Sequence, residues 1–585
     1  MRRCLPPLLS ATGLTLLLAA CSGPSTAPAA QATAPAGAQA AAAATHAYQP
    51  EISAADFAAH VQQLASDAFG GRGPGTEGEQ KTVEYIKDQF ARIGLQPGNG
   101  GSWYQTVPMV ETTADPAATL DFRIGPQQQV LAFGKDMVIG TRTGQPEVRL
   151  QDSPVVFVGY GVNAPERGWN DYAGLDLKGK TVVMLVNDPG FHAHDPKLFD
   201  GPRMTYYGRW TYKFEEAARQ GAAAALIVHD DAGAAYGWDV VRNSWSGAQY
   251  DLPAQDDPAP RVPIQGWLTQ DAARALFQAA GLDLAQLYKA AGKPGFKPVA
   301  LPGTTLSTTL KSTIARKSSR NVIGLLPGSQ APDEAILYMA HWDHLGTHAG
   351  EPGDHIYNGA VDNATGVAGI LEIAEAFRKA PTPPKRSILF LAVTLEESGL
   401  LGSKYYVAHP VIPLDRTVAV INLDALAPIG KARDMVVVGK GSSQLEDVLA
   451  QVLRQQGRHP VAEDDPTAGY YFRSDHFNFA KAGVPSLYVD SGVDLLAGGV
   501  AAGRAANADY TRNRYHKPSD QYDPATWKLD GIVQDLQAVF AVGERLANDG
   551  SWPDWYPGSP FKAARDAMRL PAAPSAAPAQ GGPAR

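Results

Sequence analysis

From residue 320 onward, short apolar runs alternate with stretches of helical period. NVIGLLPG, AILYMAH, SILFLAVT, TVAVINLD, MVVVGK and PSLYVD read as strands, with helices predicted near 364–379, 398–408, 443–456 and 528–547. Strands that are apolar at every position, and not at every second one, are buried on both faces. The pattern predicts an α/β fold with a mixed, mostly parallel central sheet and helices on both faces. Upstream, SAADFAAHVQQLAS combines a cap (Ser53, Asp56) with an apolar stripe of Phe57, Val61 and Leu64. A second helix is predicted over 78–93, with Val83, Ile86, Phe90 and Ile93 on one face and Gly94 to end it. The strand-like stretches WYQTVPMVET, TLDFRIG and QQVLAFG follow.

Between 140 and 304 the texture changes. SPVVFVGYGV, KTVVMLVND and AAALIVHD are separated by Gly/Asp/Pro turns and one helical segment, EEAARQG. This predicts a small β-rich domain with helices, inserted between a first part over 51–139 and the main part over 305–550. His192, His194 and His229 are scattered within it and form no catalytic constellation. The Ala/Pro-rich end predicts a disordered tail over 551–585.

The first residues, MRRCLPPLLSATGLTLLLAAC, join a basic start to a short apolar run and read as a secretory signal over 1–20. Leu18-Ala19-Ala20-Cys21 resembles the bacterial lipobox, in which cleavage leaves the cysteine lipidated; a plain signal peptide cut after Ala20 is the alternative. Residues 21–50 then form a tether with nothing large and apolar to offset the entropy of ordering. An exported protein, lipid-anchored to a bacterial envelope at Cys21 and facing the periplasm or cell surface, is expected.

Length and charge narrow the classes. A chain of 585 residues, 44% hydrophobic, can bury more than one core. Its net charge of −8 argues against nucleic acid or an anionic surface as a partner. The two cysteines, Cys4 and Cys21, both precede the folded body, so no disulfide is expected there.

The chemistry gathers at strand ends, where open α/β sheets bind ligands. AILYMAH ends at His341, SILFLAVTL runs into Glu396–Glu397, and AVINL ends at Asp424. Asp362 precedes a predicted helix, and RNRYHKPSDQYD adds His516. Three carboxylates, two imidazoles and one spare glutamate, without thiolate, suit zinc or another divalent ion. Two such ions need a bridging carboxylate, terminal ligands and a base for the water between them. Plainer readings exist for each: Asp362 as a helix cap, and Glu396–Glu397 as an acidic first turn. His344, His348 and His355 compete with His341, which alone sits at a strand end; the others read as loop surface. Asp475–His476 reads as structural or pocket-lining, and Arg72 as scaffold.

Taken together, AHWDHLG, GAVDNATGVA, LEESGLLGS, NLDALAP and YHKPSD resemble the co-catalytic dizinc aminopeptidases, the secreted bacterial leucine-type enzymes related to glutamate carboxypeptidase and the transferrin receptor. The resemblance covers about 51–135 and 305–545, and 140–304 resembles the protease-associated domain often inserted there. It implies two Zn²⁺ per chain. Asp362 would bridge them, with His341 and Asp424 completing one site and Glu397 and His516 the other. Glu396 would be the general base, Asp343 would hydrogen-bond the His341 imidazole, and Tyr515 would donate to the oxyanion. The implied function is removal of N-terminal residues from peptides with a free amine. Alternatives are a carboxypeptidase or dipeptidase of the same clan, a one-zinc glutaminyl-cyclase-like acyl transferase, or a non-catalytic receptor-like protein on the same scaffold. Retention of His341 disfavours the acyl transferase, and retention of all five ligands and the base disfavours the receptor.

Overall fold

The structure, a computed structural model, describes residues 46–193, 195–348 and 353–569. The signal segment, Cys21, the tether as far as residue 45, His194 and the last sixteen residues lie outside the described residues.

The alternation after 320 builds one central sheet. Its middle strands, in the order Arg386–Val393, Ala331–His341, Thr417–Leu423 and Ser486–Asp490, run parallel. Beyond Arg386–Val393 the sheet turns antiparallel through Val299–Leu326, Tyr104–Ala114 and Gln249–Asp251. At the other edge Asp434–Val437 runs antiparallel to Ser486–Asp490 and parallel to His459–Ala462. The sheet is mixed, and parallel where the candidate ligands emerge.

Burial on both faces explains the continuous apolar runs. Successive side chains on a strand point to opposite faces. Ile336, Tyr338 and Ala340 enter a core shared with helices Ala54–Leu64, Glu77–Ile93, Thr365–Lys379 and Leu529–Asn548. Leu337 and Met339 face the other way, onto Tyr406 of helix Leu401–Ala408 and Phe479 of helix His476–Lys481. Each such side chain contributes about 1.5–3 kcal/mol by leaving water, so a charge at any of these apolar positions would be costly. The predicted caps form: Ser53 Oγ accepts from the Asp56 N–H, and Gly94 ends its helix at φ 88°.

A second sheet is joined to the first through one strand. Val299–Leu326 is 28 residues long. Its first half pairs with Thr119–Ile124 and Glu147–Phe157, and residues 312–322 pair with Tyr104–Ala114 of the central sheet. From Glu147–Phe157 the second sheet continues in parallel through Thr181–Leu185, Ala224–Val228 and Ile264–Leu268, and closes antiparallel on Met137–Gly140. Thr119–Ile124, Gln127–Ala132 and Met137–Gly140 therefore belong to this lobe, which begins near 115 and not at 140. A half-buried strand pattern does not say which sheet the strand joins. Helices Trp210–Arg219, Trp238–Trp245, Gln270–Ala279 and Leu284–Ala291 cover the lobe, where the pattern predicted one.

Both ends of the folded body also extend beyond the expected limits. The Tyr48 ring stacks on His60, ahead of the start expected at 51. The tail expected from 551 is folded through Arg569: Trp555 is buried, and Arg565 in helix Lys562–Arg569 donates to the Thr417 carbonyl. Among the described residues, no helix is long and apolar enough to cross a membrane.

Candidate active site

Three neighbouring parallel strands deliver His341, Glu396–Glu397 and Asp424 to one edge. His341 is the last residue of Ala331–His341 and lies in register with Val393. Glu396 and Glu397 follow Arg386–Val393 by three and four residues, and Asp424 follows Thr417–Leu423 directly. Leu395 (φ 57°), Ala425 (φ 58°) and His516 (φ 55°) take left-handed backbone, a cost of about 1–3 kcal/mol each that clusters at functional sites. At Leu395 and Ala425 it occurs where the chain must leave the sheet sharply.

Asp362 lies in the irregular turn Ala360–Ala364 ahead of helix Thr365–Lys379. It does not cap that helix. The cap residue is Ala364, without a side-chain hydrogen bond, and Asn363 Oδ1 instead accepts from the N–H groups of Gly366 and Ala425. The first-turn reading of Glu396–Glu397 fails as well, because helix Leu401–Ala408 starts only after a further turn.

The carboxylates and imidazoles converge in two sets. His341 Nε2 is 3.2 Å from Asp362 Oδ1 and 3.2 Å from Asp424 Oδ1. His516 Nε2 is 3.2 Å from Asp362 Oδ2 and 3.1 Å from Glu397 Oε2. The two oxygens of Asp362 thus face one set each. Glu396 and Tyr515 line a cleft of about 770 Å³ together with Glu397 and His516. The Tyr515 ring stacks on His516 at 4.0 Å between centroids and is 43% exposed.

Two expectations are corrected. His344 is not loop surface: it is buried, and its Nδ1 lies 2.7 Å from Glu397 Oε1. It converges with Asp362 and Glu397 as closely as His341 does with Asp362 and Asp424. A strand-end criterion passes over His344, although its spacing of three from His341 was visible. The carboxylate of Asp343 does not hydrogen-bond the His341 imidazole either. His341 Nδ1 lies 3.1 Å from the Asp343 main-chain carbonyl and 3.8 Å from its carboxylate, which accepts from the Glu396 N–H.

A buried scaffold holds these groups. Asp520, missed by sequence reasoning, accepts from the N–H groups of Val361 and Asp362 and so fixes the turn that aims Asp362. Arg72 is fully buried and donates to the carbonyls of Leu64, Trp342, Asn358 and Gly359, as its scaffold reading implies. Ser474 Oγ donates to Asp424 Oδ2 at 2.6 Å, and Ser403 Oγ donates to buried Asp475.

Electrostatics separate the adjacent glutamates. Burial raises the Glu396 carboxyl well above its ordinary value; His341 opposes this, while Glu397, Asp424 and Asp475 add to it. Burial acts on Glu397 in the same direction, but His516 and His344 overcome it and leave that carboxyl at about 2. Two neighbouring acids driven apart in this way suit different tasks, one for protons and one for a cation. Burial alone would lower the His341 imidazole, yet Asp424, Glu396 and Asp362 hold it well above its ordinary value.

The donor set fits divalent cations. It is made of oxygens and imidazole nitrogens, and the described residues contain no cysteine. His344 Nε2 and Asp343 Oδ2 are buried without a hydrogen-bond partner. Four carboxylates packed with so few cationic partners call for added positive charge.

The chain is also similar in sequence to known peptidases. Residues 321–541 match the model of Peptidase family M28. Aminopeptidase NAALADL1 of Mus musculus is 34% identical over 138 residues, 22% of this chain and 17% of that protein. The probable lipoprotein aminopeptidase LpqL of Mycobacterium tuberculosis is 29% identical over 279 residues, 44% of this chain and 52% of that protein. The chain thus spans about half or less of the length of these relatives. A solved aminopeptidase from Aneurinibacillus sp. strain AM-1 matches 85% of this chain and 94% of its own at 20% identity, with a TM-score of 0.45. All five candidate ligands and Glu396 fall within residues 321–541, the segment that matches the model of Peptidase family M28.

Proposed function

We propose that the protein is a zinc-dependent aminopeptidase that removes N-terminal residues from peptides at a two-ion centre. The observation that carries this is Asp362, whose two oxygens face separate imidazole–carboxylate sets. Asp362, His341 and Asp424 would hold one ion, and Asp362, Glu397 and His516 the other. His344 donates to one oxygen of Glu397 and leaves the other directed toward His516, which makes it an orienting partner of that ligand. Bound there, the ions would lower the pKa of water and polarise the scissile carbonyl.

The chain's own residues divide the remaining work. Glu396, with its proton affinity raised by burial and its acidic neighbours, takes the proton of the attacking water and passes it to the leaving amine. Tyr515, exposed to the cleft beside His516, donates its phenolic proton to the developing oxyanion. The aminopeptidase names of the relatives support the polarity of cleavage, and retention of every ligand speaks against a receptor-like role. N-acetylation of a peptide substrate should abolish turnover. Rapid cleavage of blocked peptides, or release of residues from the C-terminus, would overturn the aminopeptidase reading in favour of a carboxypeptidase or endopeptidase.

Export with a lipid anchor at Cys21 belongs to the same reading, supported by the lipobox and by a relative named as a lipoprotein. Cys21→Ser should release the protein from membranes or block its processing without altering catalysis in detergent. A wild-type protein already soluble, with an N-terminus other than Cys21, would refute the anchor. The lobe over 115–311, similar in strand order to a protease-associated domain, would act as a lid that limits substrate length.

A further inference from the structure

Seven arginine and lysine side chains line the cleft beside Glu396 and Tyr515. Five are already neutralised: Arg142 by Asp251, Arg219 by Glu216, Arg261 and Lys404 by Asp257, and Lys481 by Glu215. Arg209 and Arg473 are the exceptions. Among the described residues neither guanidinium has a carboxylate partner, and the Nε–H of each is buried without an acceptor. Arg473 gives one Nη–H to the carbonyl of Ala468 and otherwise rests over the Tyr470 ring, 5.1 Å from its centroid. Arg209 lies 5.5 Å from the centroid of Trp210.

The two cations also act on each other. Burial first, and then the charge of Arg473, draw Arg209 down to about 10, against the opposing influence of Tyr236, Tyr515 and Glu396. Like charges left together in a half-buried cleft are costly unless an anion joins them. A second feature points the same way. Arg209 is the N-cap residue of the ten-residue helix Trp210–Arg219, which starts without a side-chain cap, and Trp210 and Thr211 line the same cleft. Free N–H groups at a helix start favour negative charge.

We propose that Arg209, from the lobe, and Arg473, from the catalytic part, together bind a carboxylate of the substrate. The inference rests on the peptidase reading and adds the substrate class: short peptides bearing either a free α-carboxylate or an acidic side chain. Planar guanidinium pairs suit a carboxylate by geometry as well as charge, and a cleft of about 770 Å³ lies within the usual range for small ligands.

The test measures kcat/KM for Leu-Gly, Leu-Gly-amide and Leu-Asp-amide with wild type, Arg209→Gln, Arg473→Gln and the double variant. An α-carboxylate ligand predicts that Leu-Gly exceeds its amide by roughly 10- to 100-fold, the worth of charge-assisted hydrogen bonds. A side-chain ligand predicts the same advantage for Leu-Asp-amide over Leu-Gly-amide. Either preference should fall toward one in the variants, chiefly through KM. Equal rates on all three substrates in wild type, or a preference that survives the double substitution, would overturn the proposal. If no peptide is hydrolysed, the peptidase reading fails separately and calorimetry decides the site. Saturable binding of N-acetylglycinate but not of its amide, lost in the double variant, supports a carboxylate site; no binding to wild type overturns it.

Discussion

His341 and Asp424 leave the ends of adjacent parallel strands, and the His341 side chain is 2% exposed. His516 follows helix Gly499–Asn513, in which only Gly503 is buried, and its side chain is 36% exposed. The two halves of one centre thus rest on unequal supports, with Asp362 common to both. A ligand at a strand end is fixed by ladder hydrogen bonds and by core packing on two faces. A ligand after a surface helix is fixed mainly by what it binds. The difference predicts a tightly held ion on the His341 side and a more exchangeable one on the His516 side.

Removal of the shared residue should have the largest effect. Asp362→Asn should empty both halves, with loss of several kcal/mol of transition-state stabilisation, roughly 10⁴-fold in rate or more. Two ions retained at wild-type affinity would put the bridge elsewhere. Glu396→Gln should leave both halves intact and lower kcat by roughly 10²–10⁴-fold, the share of general acid–base catalysis. Metal analysis on the same preparation separates the two results. Glu397→Gln should differ from its neighbour, weakening the His516-side ion and regaining part of its activity with added zinc. If Glu396→Gln loses metal while Glu397→Gln keeps it and loses only kcat, the two roles are reversed.

Asymmetry itself is read from graded chelation. In wild type one ion should leave at lower chelator concentration than the other. His516→Ala should abolish that weaker step, whereas His341→Ala should abolish the stronger one. Two ions that leave together in wild type would refute the unequal supports. The smallest effect concerns pH. In the metal-free protein the carboxylates raise both imidazoles, His341 and His516, well above their ordinary value against the opposing effect of burial. Each is protonated at neutral pH and must lose its proton to bind an ion, so apparent zinc affinity should rise with pH. Calorimetry in two buffers should register proton release on zinc binding, reduced by about one proton in either histidine variant.

The same contrast sets what could be read in advance. The parallel strands and their end residues were legible because burial on both faces writes a continuous apolar run. Val299–Leu326 was predicted only from Asn321 onward, since its earlier residues form a half-exposed ribbon of Thr, Ser and Lys. Helix Gly499–Asn513 gave no signal because one buried residue makes no stripe. His344 and Asp520 act through a side chain folding back and through main-chain N–H groups, and neither follows from spacing along a strand. Arg209 reaches the cleft from the second lobe, nearly 190 residues before Glu396, and only the packing of the two lobes brings them together.

The ladder between Tyr104–Ala114 and Val299–Leu326 closes at Ala114 opposite Ser312. Topologically, residues 115–311 are the loop of a hairpin that has been enlarged into a lobe. Such an attachment is modular in one sense, since a short turn joining 114 to 312 would restore an ordinary hairpin and leave the parallel strands untouched. It is stiff in another, because the same strand passes from one sheet into the other without an intervening linker. The lobe is therefore carried by the catalytic sheet itself, and the ion pairs Arg203–Glu463 and Lys481–Glu215 on either side of Arg209 tie that part of it to the catalytic part.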